Sequence, residues 1–224
     1  MPAEWEIVWL TARLAALATL LVLPLAIAVA WILARKNWRG KSIVETLVSL
    51  PLVIPPVATG LLLLELAGRR SLAGRAFQWL FGLSIVFTWR GAVLAMMVMS
   101  FPLIVRSSRI GFEGVNGRLE QLARTLGAGE LHLFRTITLP LASRGIIAGA
   151  MMGFARALGE FGATILIAGN IPGRTSTLSV SIYQLIELGQ EDAAWRLVGL
   201  SIAITFVTVW IAETILRRQE AMAS

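Results

Sequence analysis

The sequence predicts an all-α integral membrane protein with five transmembrane helices. Of its 224 residues, 57% are hydrophobic and only 15% are charged, whereas about 25% charged residues is usual in a soluble domain. Two uncharged runs, residues 14–34 and 46–64, match the roughly 20 apolar residues that a helix needs to cross the hydrocarbon core. A soluble one- or two-domain protein is therefore excluded.

Charge-poor runs place the five spans in order. The first two contain the uncharged runs, the third contains Arg90, the fourth contains Arg156 and Glu160, and the fifth ends near Glu213. The predicted spans are residues 10–33, 44–67, 84–105, 145–168 and 197–216. Pro51, Pro55 and Pro56 are expected to bend or break the second span, either as a pore-lining break or as a passive kink.

The distribution of basic residues predicts an outside N-terminus and an inside C-terminus. With this topology, twelve of the 20 basic residues lie in cytoplasmic segments and five in outer segments, as the positive-inside rule requires. The outer cluster between Arg69 and Arg75 opposes the rule. Because it adjoins Phe77, Trp79, Leu80 and Phe81, we interpret it as part of a short interfacial helix.

Several kinds of chemistry are not expected. The chain has no cysteine, which excludes a disulfide framework, a thiolate metal site and a cysteine nucleophile. Its single histidine, His132, leaves no histidine-rich metal site and no Ser-His-Asp triad. We therefore predict no catalytic and no metal-binding residues. A nucleic-acid partner is not expected, because most of the basic residues flank spans.

The longest predicted cytoplasmic segment, residues 106–144, has internal order. Leu119, Leu122, Ala123 and Leu126 recur at helical spacing and are followed by Gly127 and Gly129. A second short helix is expected from Leu131 until Pro140 ends it. The pair of helices either presents an apolar edge to another protein or lies as an amphipathic hairpin on the membrane or the spans.

Residues 121–140, QLARTLGAGELHLFRTITLP, resemble the cytoplasmic coupling loop of ABC-importer permeases. Ala123, Gly127, Ile137, Leu139 and Pro140 occupy matching positions. Gln121 and Leu122 replace the Glu and first Ala of that pattern, although Glu120 is adjacent. Tungstate and sulfate permeases are near relatives of the permease subunit of molybdate importers. The further stretches that look like this molybdate permease subunit are residues 50–56, 89–95, 100–103, 124–129, 158–164 and 170–173.

The resemblance implies one permease domain, residues 1–224, in a bacterial plasma membrane. It also implies a homodimeric pore, two docked ATPase subunits and an external oxyanion-binding protein. The chain itself would be no enzyme and hold no cofactor, since it lacks a Gly-x-x-x-x-Gly-Lys-Ser/Thr phosphate loop and molybdate is cargo. The resemblance and the loop pattern together predict these ATPase-coupling residues: Glu120, Gln121, Ala123, Arg124, Gly127, Ile137, Thr138, Leu139 and Pro140.

The candidate residues of the translocation path are Pro51, Pro55, Pro56, Arg90, Glu160, Phe161, Gly162 and Thr164. Arg90 either attracts an entering oxyanion or is an arginine near the outer end that snorkels or pairs with Glu65 or Glu160. Arg156 and Glu160, four residues apart on one helix face, either neutralise each other or leave Glu160 to border the path.

A stripe of small residues recurs every four positions in the fourth span: Gly145, Gly149, Gly153 and Ala157. Such a stripe permits close helix approach, either at a dimer interface or within the chain. Three rival functions stay open. The same machinery could carry tungstate or sulfate, and the chain could instead be a membrane-embedded enzyme or an independent channel or carrier.

Overall fold

The computed structural model describes residues 4–68 and 71–221, and every regular element within these ranges is helical. A π-helical turn, Phe134–Thr138, joins the α-helix that ends at Leu133 to the one that begins at Leu139. The predicted all-α class is confirmed. The α-helices are α1 Glu4–Arg35, α2 Lys41–Val53, α3 Pro56–Ala67, α4 Leu72–Phe81, α5 Trp89–Glu113, α6 Gly117–Thr125, α7 Glu130–Leu133, α8 Leu139–Leu158, α9 Gly162–Ala168, α10 Leu178–Glu187 and α11 Glu191–Ala221.

Within the described residues, four helical stretches are long and apolar enough to cross a membrane. They are α1, α5, the continuous helix Glu130–Leu158 and the segment Glu191–Thr214 of α11. The helices α2 and α3 form a further candidate span that is bent by 111° between them. The chain is therefore a multi-pass membrane protein with four such helices, or five if the bent pair counts as one span.

The predicted break in the second span is confirmed, and proline chemistry explains it. Ile54 has extended backbone angles, φ −67° and ψ 135°, because the following proline ring disfavours the helical conformation there. Pro55 precedes α3 and Pro56 is its first residue, where a missing N–H costs no helical hydrogen bond. Pro51 lies inside α2 and is not at the break.

Two predicted span boundaries were wrong. The third span begins at Trp89 instead of residue 84, because Phe87 takes a left-handed φ of 56° and its N–H donates to the carbonyl of Ile167. The fourth was predicted as residues 145–168, but α8 ends at Leu158 and α9 is a separate helix. The residues on both sides of this break are apolar, so hydropathy does not reveal it.

The core is built around α5, which packs between α1 and α8. The small-residue stripe of α8 faces α5, where a Cβ on Gly145 would lie 2.6 Å from the Cα of Gly111. A Cβ on Gly149 would lie 3.0 Å from the carbonyl oxygen of Ile104. Of the two interpretations of the stripe, the internal contact is therefore the one observed.

A second close contact joins the two short helices α3 and α9. A Cβ on Gly60 would lie 2.8 Å from the Cα of Ala163, and a Cβ on Gly162 would lie 2.8 Å from the Cβ of Pro56. Both broken segments of the chain thus pack against each other, and glycine permits their backbones to approach.

The short helix predicted near the Arg69–Arg75 cluster is observed as α4. The Ser71 hydroxyl caps its first turn by accepting from the N–H of Gly74, and Gly82, with φ 64°, follows its end. Trp79 and Leu80 are exposed. Arg69 and Arg70 lie outside the described residues, and the interfacial location of α4 stays a prediction.

The contact between Gly145 and Gly111 generates a stability prediction. Gly145→Ala places a methyl group against the backbone of α5, and we expect it to lower the free energy of unfolding by about 1–3 kcal/mol. The measurement is unfolding of the purified protein in detergent. Gly199→Ala is the matched control, because nothing lies within 4 Å of its added Cβ and alanine favours a helix. Equal stability of the two variants would contradict the prediction.

Candidate functional site

The predicted cytoplasmic loop, residues 106–144, consists mostly of helix. The helix α5 continues to Glu113, and the chain is helical again from Glu130 into α8. Only residues 114–116 and 126–129 interrupt this pattern, on either side of α6. The loop is therefore a short helix, α6, attached through two brief turns to the ends of two long helices.

Local hydrogen bonds define both ends of α6. The Asn116 side chain accepts from the N–H of Arg118 at 3.0 Å. At the other end, Gly127 has φ 85° and donates to the carbonyl of Arg124, while Ala128 donates to the carbonyl of Ala123, both at 3.0 Å. This pair of bonds is the Schellman helix ending, which requires a left-handed residue at the position of Gly127.

The sequence prediction that Pro140 ends a short helix was wrong. Pro140 is the second residue of α8, and the helix runs through it from the preceding π-turn. In an α-helix, the proline ring would collide with the carbonyl four residues earlier and leave that carbonyl without its donor. The wider π-turn of residues 134–138, where Leu139 donates to the carbonyl of Phe134, accommodates the proline without ending the helix.

The outer side of the loop is an exposed apolar edge. Leu119, Leu122, Leu126 and Leu131 are between 45% and 88% exposed. Ala123, which shares their helical spacing, is buried. The leucines do not pack on the spans of their own chain, so the loop is not a hairpin whose apolar edge lies on those spans. A cluster of exposed leucines indicates a surface that contacts another protein or lipid.

The inner side of the loop is polar where it meets the helical body. Glu120 is 7% exposed, and its Oε1 accepts from Arg35 Nη2 at 2.9 Å and from the Thr138 hydroxyl at 2.7 Å. The Glu120 side chain thus contacts its own chain. Sequence reasoning did not find Arg35, because 85 residues separate it from Glu120 and no local spacing signals the contact.

The other predicted coupling residues lie around this core. Arg124 forms an exposed ion pair with Glu130, at 2.6 Å between Nε and Oε1, and this hydrogen bond raises the pKa of the Arg124 guanidinium above its usual value. Gln121 is exposed on the same helix. Ile137 and Leu139 are half-buried, and Leu139 packs against the core formed by α1, α5 and α8.

The candidate path residues meet at the two broken helices. Pro55 and Pro56 are exposed at the α2–α3 elbow, and Pro56 contacts the backbone at Gly162. Pro51 lies apart, on an apolar groove between α1, α2 and α5. The elbow and the start of α9 are thus in direct contact, whereas Pro51 is not part of this contact.

Glu160 stabilises the break between α8 and α9. Its carboxylate is 1% exposed, Oε1 accepts from the N–H of Ala163 at 2.9 Å, and Oε2 lies 2.7 Å from Nη1 of Arg156. The mutual neutralisation predicted for Arg156 and Glu160 is therefore observed. Because the same carboxylate also caps α9, it holds the broken segment in place.

The remaining candidates are distributed around the start of α9 and α5. The Phe161 ring lies 5.1 Å from that of Tyr183, and Thr164 is fully buried. Arg90 lies in the first turn of α5 with its guanidinium 4.9 Å from the Trp89 ring centre. Glu160 pairs with Arg156, so the suggested pairing of Arg90 with Glu160 is not the observed arrangement.

Comparison with known proteins identifies the architecture. The model of the family described as "Binding-protein-dependent transport system inner membrane component" matches residues 15–220. The chain is 50% identical over 216 residues to the molybdenum transport system permease protein ModB of Escherichia coli strain K12, covering 96% of this chain and 94% of that protein. It is 34% identical to the sulfate transport system permease protein CysT of Salmonella typhimurium, covering 84% and 68%.

Among solved structures, the fold is similar to a bacterial alginate ABC transporter in complex with a pentasaccharide-bound periplasmic protein. The TM-score is 0.75 at 18% identity, and the alignment covers 97% of this chain and 80% of that one. At this identity the likeness concerns the fold alone. Within the residues that the structure describes, no cluster of His, Cys, Asp and Glu side chains has the composition of a metal site.

The capping role of Glu160 generates a second prediction. Glu160→Ala leaves Arg156 without its carboxylate and α9 without its cap, so we expect the free energy of unfolding to fall by about 3 kcal/mol. Denaturant titration of the detergent-solubilised protein measures the change. Glu4→Ala removes a comparable but exposed ion pair with Arg196, and we expect it to cost less than about 1 kcal/mol. A similar loss in both variants would contradict the capping role.

Proposed function

Because the chain belongs to the family of binding-protein-dependent transport system inner membrane components, we propose that it is the membrane permease subunit of a molybdate importer. The observation that carries this proposal is the 50% identity with the molybdenum permease of Escherichia coli, which extends over nearly the whole length of both chains. The exposed leucine edge of the loop around α6 also supports this proposal, because it offers a surface that separate ATPase subunits can contact.

Molybdate is favoured over sulfate as the cargo, because the sulfate permease is a more distant relative. Tungstate and sulfate are tetrahedral dianions like molybdate, so a permease that conducts one of them presents similar chemistry to the others. Selection among the three belongs mainly to the external oxyanion-binding protein that delivers the cargo. Tungstate or sulfate transport by the same machinery is the second candidate.

The proposed assembly contains two copies of this chain, two ATPase subunits and one external binding protein in a bacterial inner membrane. The basic residues support five spans with the N-terminus outside and the C-terminus inside. ATP binds to and is hydrolysed by the ATPase subunits, and the permease holds no cofactor. Because this topology places α6 in the cytoplasm, its leucines face the compartment that contains ATP.

In this assembly, Leu119, Leu122, Leu126 and Leu131 dock α6 against an ATPase. Closure of the ATPases upon ATP binding moves the docked helix, and the π-turn carries the displacement directly into α8, since the two form one continuous helix. The ATPase state thereby biases a permease that alternates between inward- and outward-facing arrangements.

The proposed translocation path runs along the α2–α3 elbow and the start of α9, where the second copy of the chain completes the pore. Arg156 and Glu160 neutralise each other beside this surface, which leaves little net charge to hold a dianion tightly. Arg90, at the end of α5 that the proposed topology places outside, contributes a positive charge for an entering anion.

Transport by the purified system tests this function. The permease, its ATPase and its binding protein are reconstituted in liposomes, and we expect ATP-dependent accumulation of molybdate that excess sulfate does not suppress. Suppression by sulfate would favour the second candidate. Uptake at the same rate in vesicles that lack the ATPase would identify an independent channel and contradict the proposal.

The left-handed conformation of Gly127 provides a sharper test of the coupling loop. Gly127→Val imposes about 1–2 kcal/mol of backbone strain at φ 85°, so we expect the ratio of native to non-native loop conformations to fall roughly 5- to 30-fold and uptake to decrease. ATPase co-purification and molybdate uptake are measured together.

The control is Gly129→Val, two residues further along the same loop. Gly129 has φ −69° and ψ 153°, which valine adopts readily, and nothing lies within 4 Å of an added Cβ. We expect this variant to retain ATPase association and uptake. Wild-type uptake by Gly127→Val, at the wild-type rate of ATP hydrolysis, would exclude a coupling role for the loop ending.

A further inference from the structure

The helix α6 is attached to the body of the permease by very few side chains. Among its residues, only Glu120 and Ala123 are buried, and the leucine edge points away from the molecule. Ala123 contributes a single methyl group. A displacement imposed on α6 therefore reaches the transmembrane helices through Glu120, Ala123, the exposed ion pair between Arg124 and Glu130, or the backbone.

The contacts of Glu120 connect three separate elements at one oxygen atom. Its Oε1 accepts from Arg35, the last residue of α1, and from Thr138, the last residue of the π-turn. Arg35 Nη2 also lies 3.3 Å from the carbonyl oxygen of Val115, in the turn that leads into α6. Hydrogen bonds to charged groups are short and directional, so this cluster defines how α6 is oriented.

The end of α1 is held to the π-turn by aromatic packing as well. The Trp31 ring meets Phe134 edge-to-face, with ring centres 5.6 Å apart, and Phe134 stacks on Phe112 of α5 at 6.3 Å. Arg35 follows Trp31 by one helical turn, so its guanidinium projects from a part of α1 that is already fixed. The cluster therefore joins α6 to a rigid base.

We propose that Arg35, Glu120 and Thr138 form a positioning junction that fixes α6 to α1 and α8, so that α1 moves together with the docked loop during transport. This inference rests on the proposed function, and it adds α1 to the moving body. None of the three residues belongs to the proposed translocation path. They act by orienting α6, and their loss separates ATP hydrolysis from transport.

A purely stabilising role and a positioning role predict different effects when the ion pair is replaced. Replacing a buried ion pair with apolar side chains of similar volume commonly preserves or increases stability, whereas it removes the directional hydrogen bonds. The double variant Arg35→Met/Glu120→Leu therefore separates the two roles. Under the junction hypothesis it folds with near wild-type stability and still transmits motion poorly.

The first measurement is the number of molybdate ions transported per ATP hydrolysed by the reconstituted complex. We expect the double variant to bind the ATPase subunits normally and its ratio to fall at least about five-fold, the low end of typical coupling between sites. The single variant Arg35→Lys keeps a cationic donor for Glu120, so we expect it to retain most of the wild-type number of molybdate ions per ATP. An unchanged ratio in the double variant would overturn the junction.

Glu113→Gln is the matched control. It removes a cytoplasmic-side carboxylate that is paired with Arg109, but this carboxylate is exposed and belongs to α5 alone. We expect its ratio to equal that of the wild type. A loss in Glu113→Gln as large as in the double variant would assign the effect to general charge removal and overturn the proposal.

A second measurement does not depend on the cargo. The chain has no cysteine, so spin labels can be introduced at Leu21→Cys and Arg118→Cys, two exposed sites on α1 and α6 that are not among the predicted coupling residues. In complexes that combine one doubly labelled copy with one unlabelled copy, we expect one narrow interlabel distance when the junction is intact, with and without ATP, and a broadened distribution in the double variant. Distance distributions of equal width with and without the double substitution would overturn the junction. This test holds even if the wild-type complex imports no molybdate, because a failure to import molybdate would refute only the proposed function.

Discussion

Close backbone contact between α5 and α8 is the interaction on which the other contacts of this permease depend. Gly145 and Gly111 face each other at a distance that admits no side chain, so the two helices are held together along their length. This contact places the π-turn beside Phe112 at one end of α8 and places α9 beside α3 at the other. In a bilayer, where hydrophobic exclusion between helices is weak, such close packing is a main source of helix association.

The two ends of α8 use the same chemistry for different tasks. At one end Glu120 forms an ion pair with Arg35, and at the other end Glu160 forms an ion pair with Arg156. Each carboxylate also accepts a hydrogen bond at a helix boundary, from the Thr138 hydroxyl and from the N–H of Ala163 respectively. Buried carboxylates require such partners. One cluster thereby connects α6 to the ends of α1 and the π-turn, and the other holds the break between α8 and α9.

Several features could be predicted because their causes are local in the sequence. The proline break between α2 and α3 follows from the ring of Pro55, which disfavours the helical conformation at Ile54. The pairing of Arg156 with Glu160 follows from their spacing of four residues. The continuation of the helix through Pro140 could not be predicted in this way, because it depends on a π-turn that sequence periodicity does not reveal. The break after Leu158 was missed because both sides of it are apolar.

The sequence by itself determined the helical class, the membrane residence and the family resemblance, since these depend on composition and on short motifs read along the chain. Only the tertiary structure decided that the glycine stripe faces α5, that the loop leucines are exposed and that Glu120 contacts Arg35. Those outcomes depend on which faces of distant helices meet. Helical periodicity specifies that a face exists, but the packing of the whole chain selects what covers it.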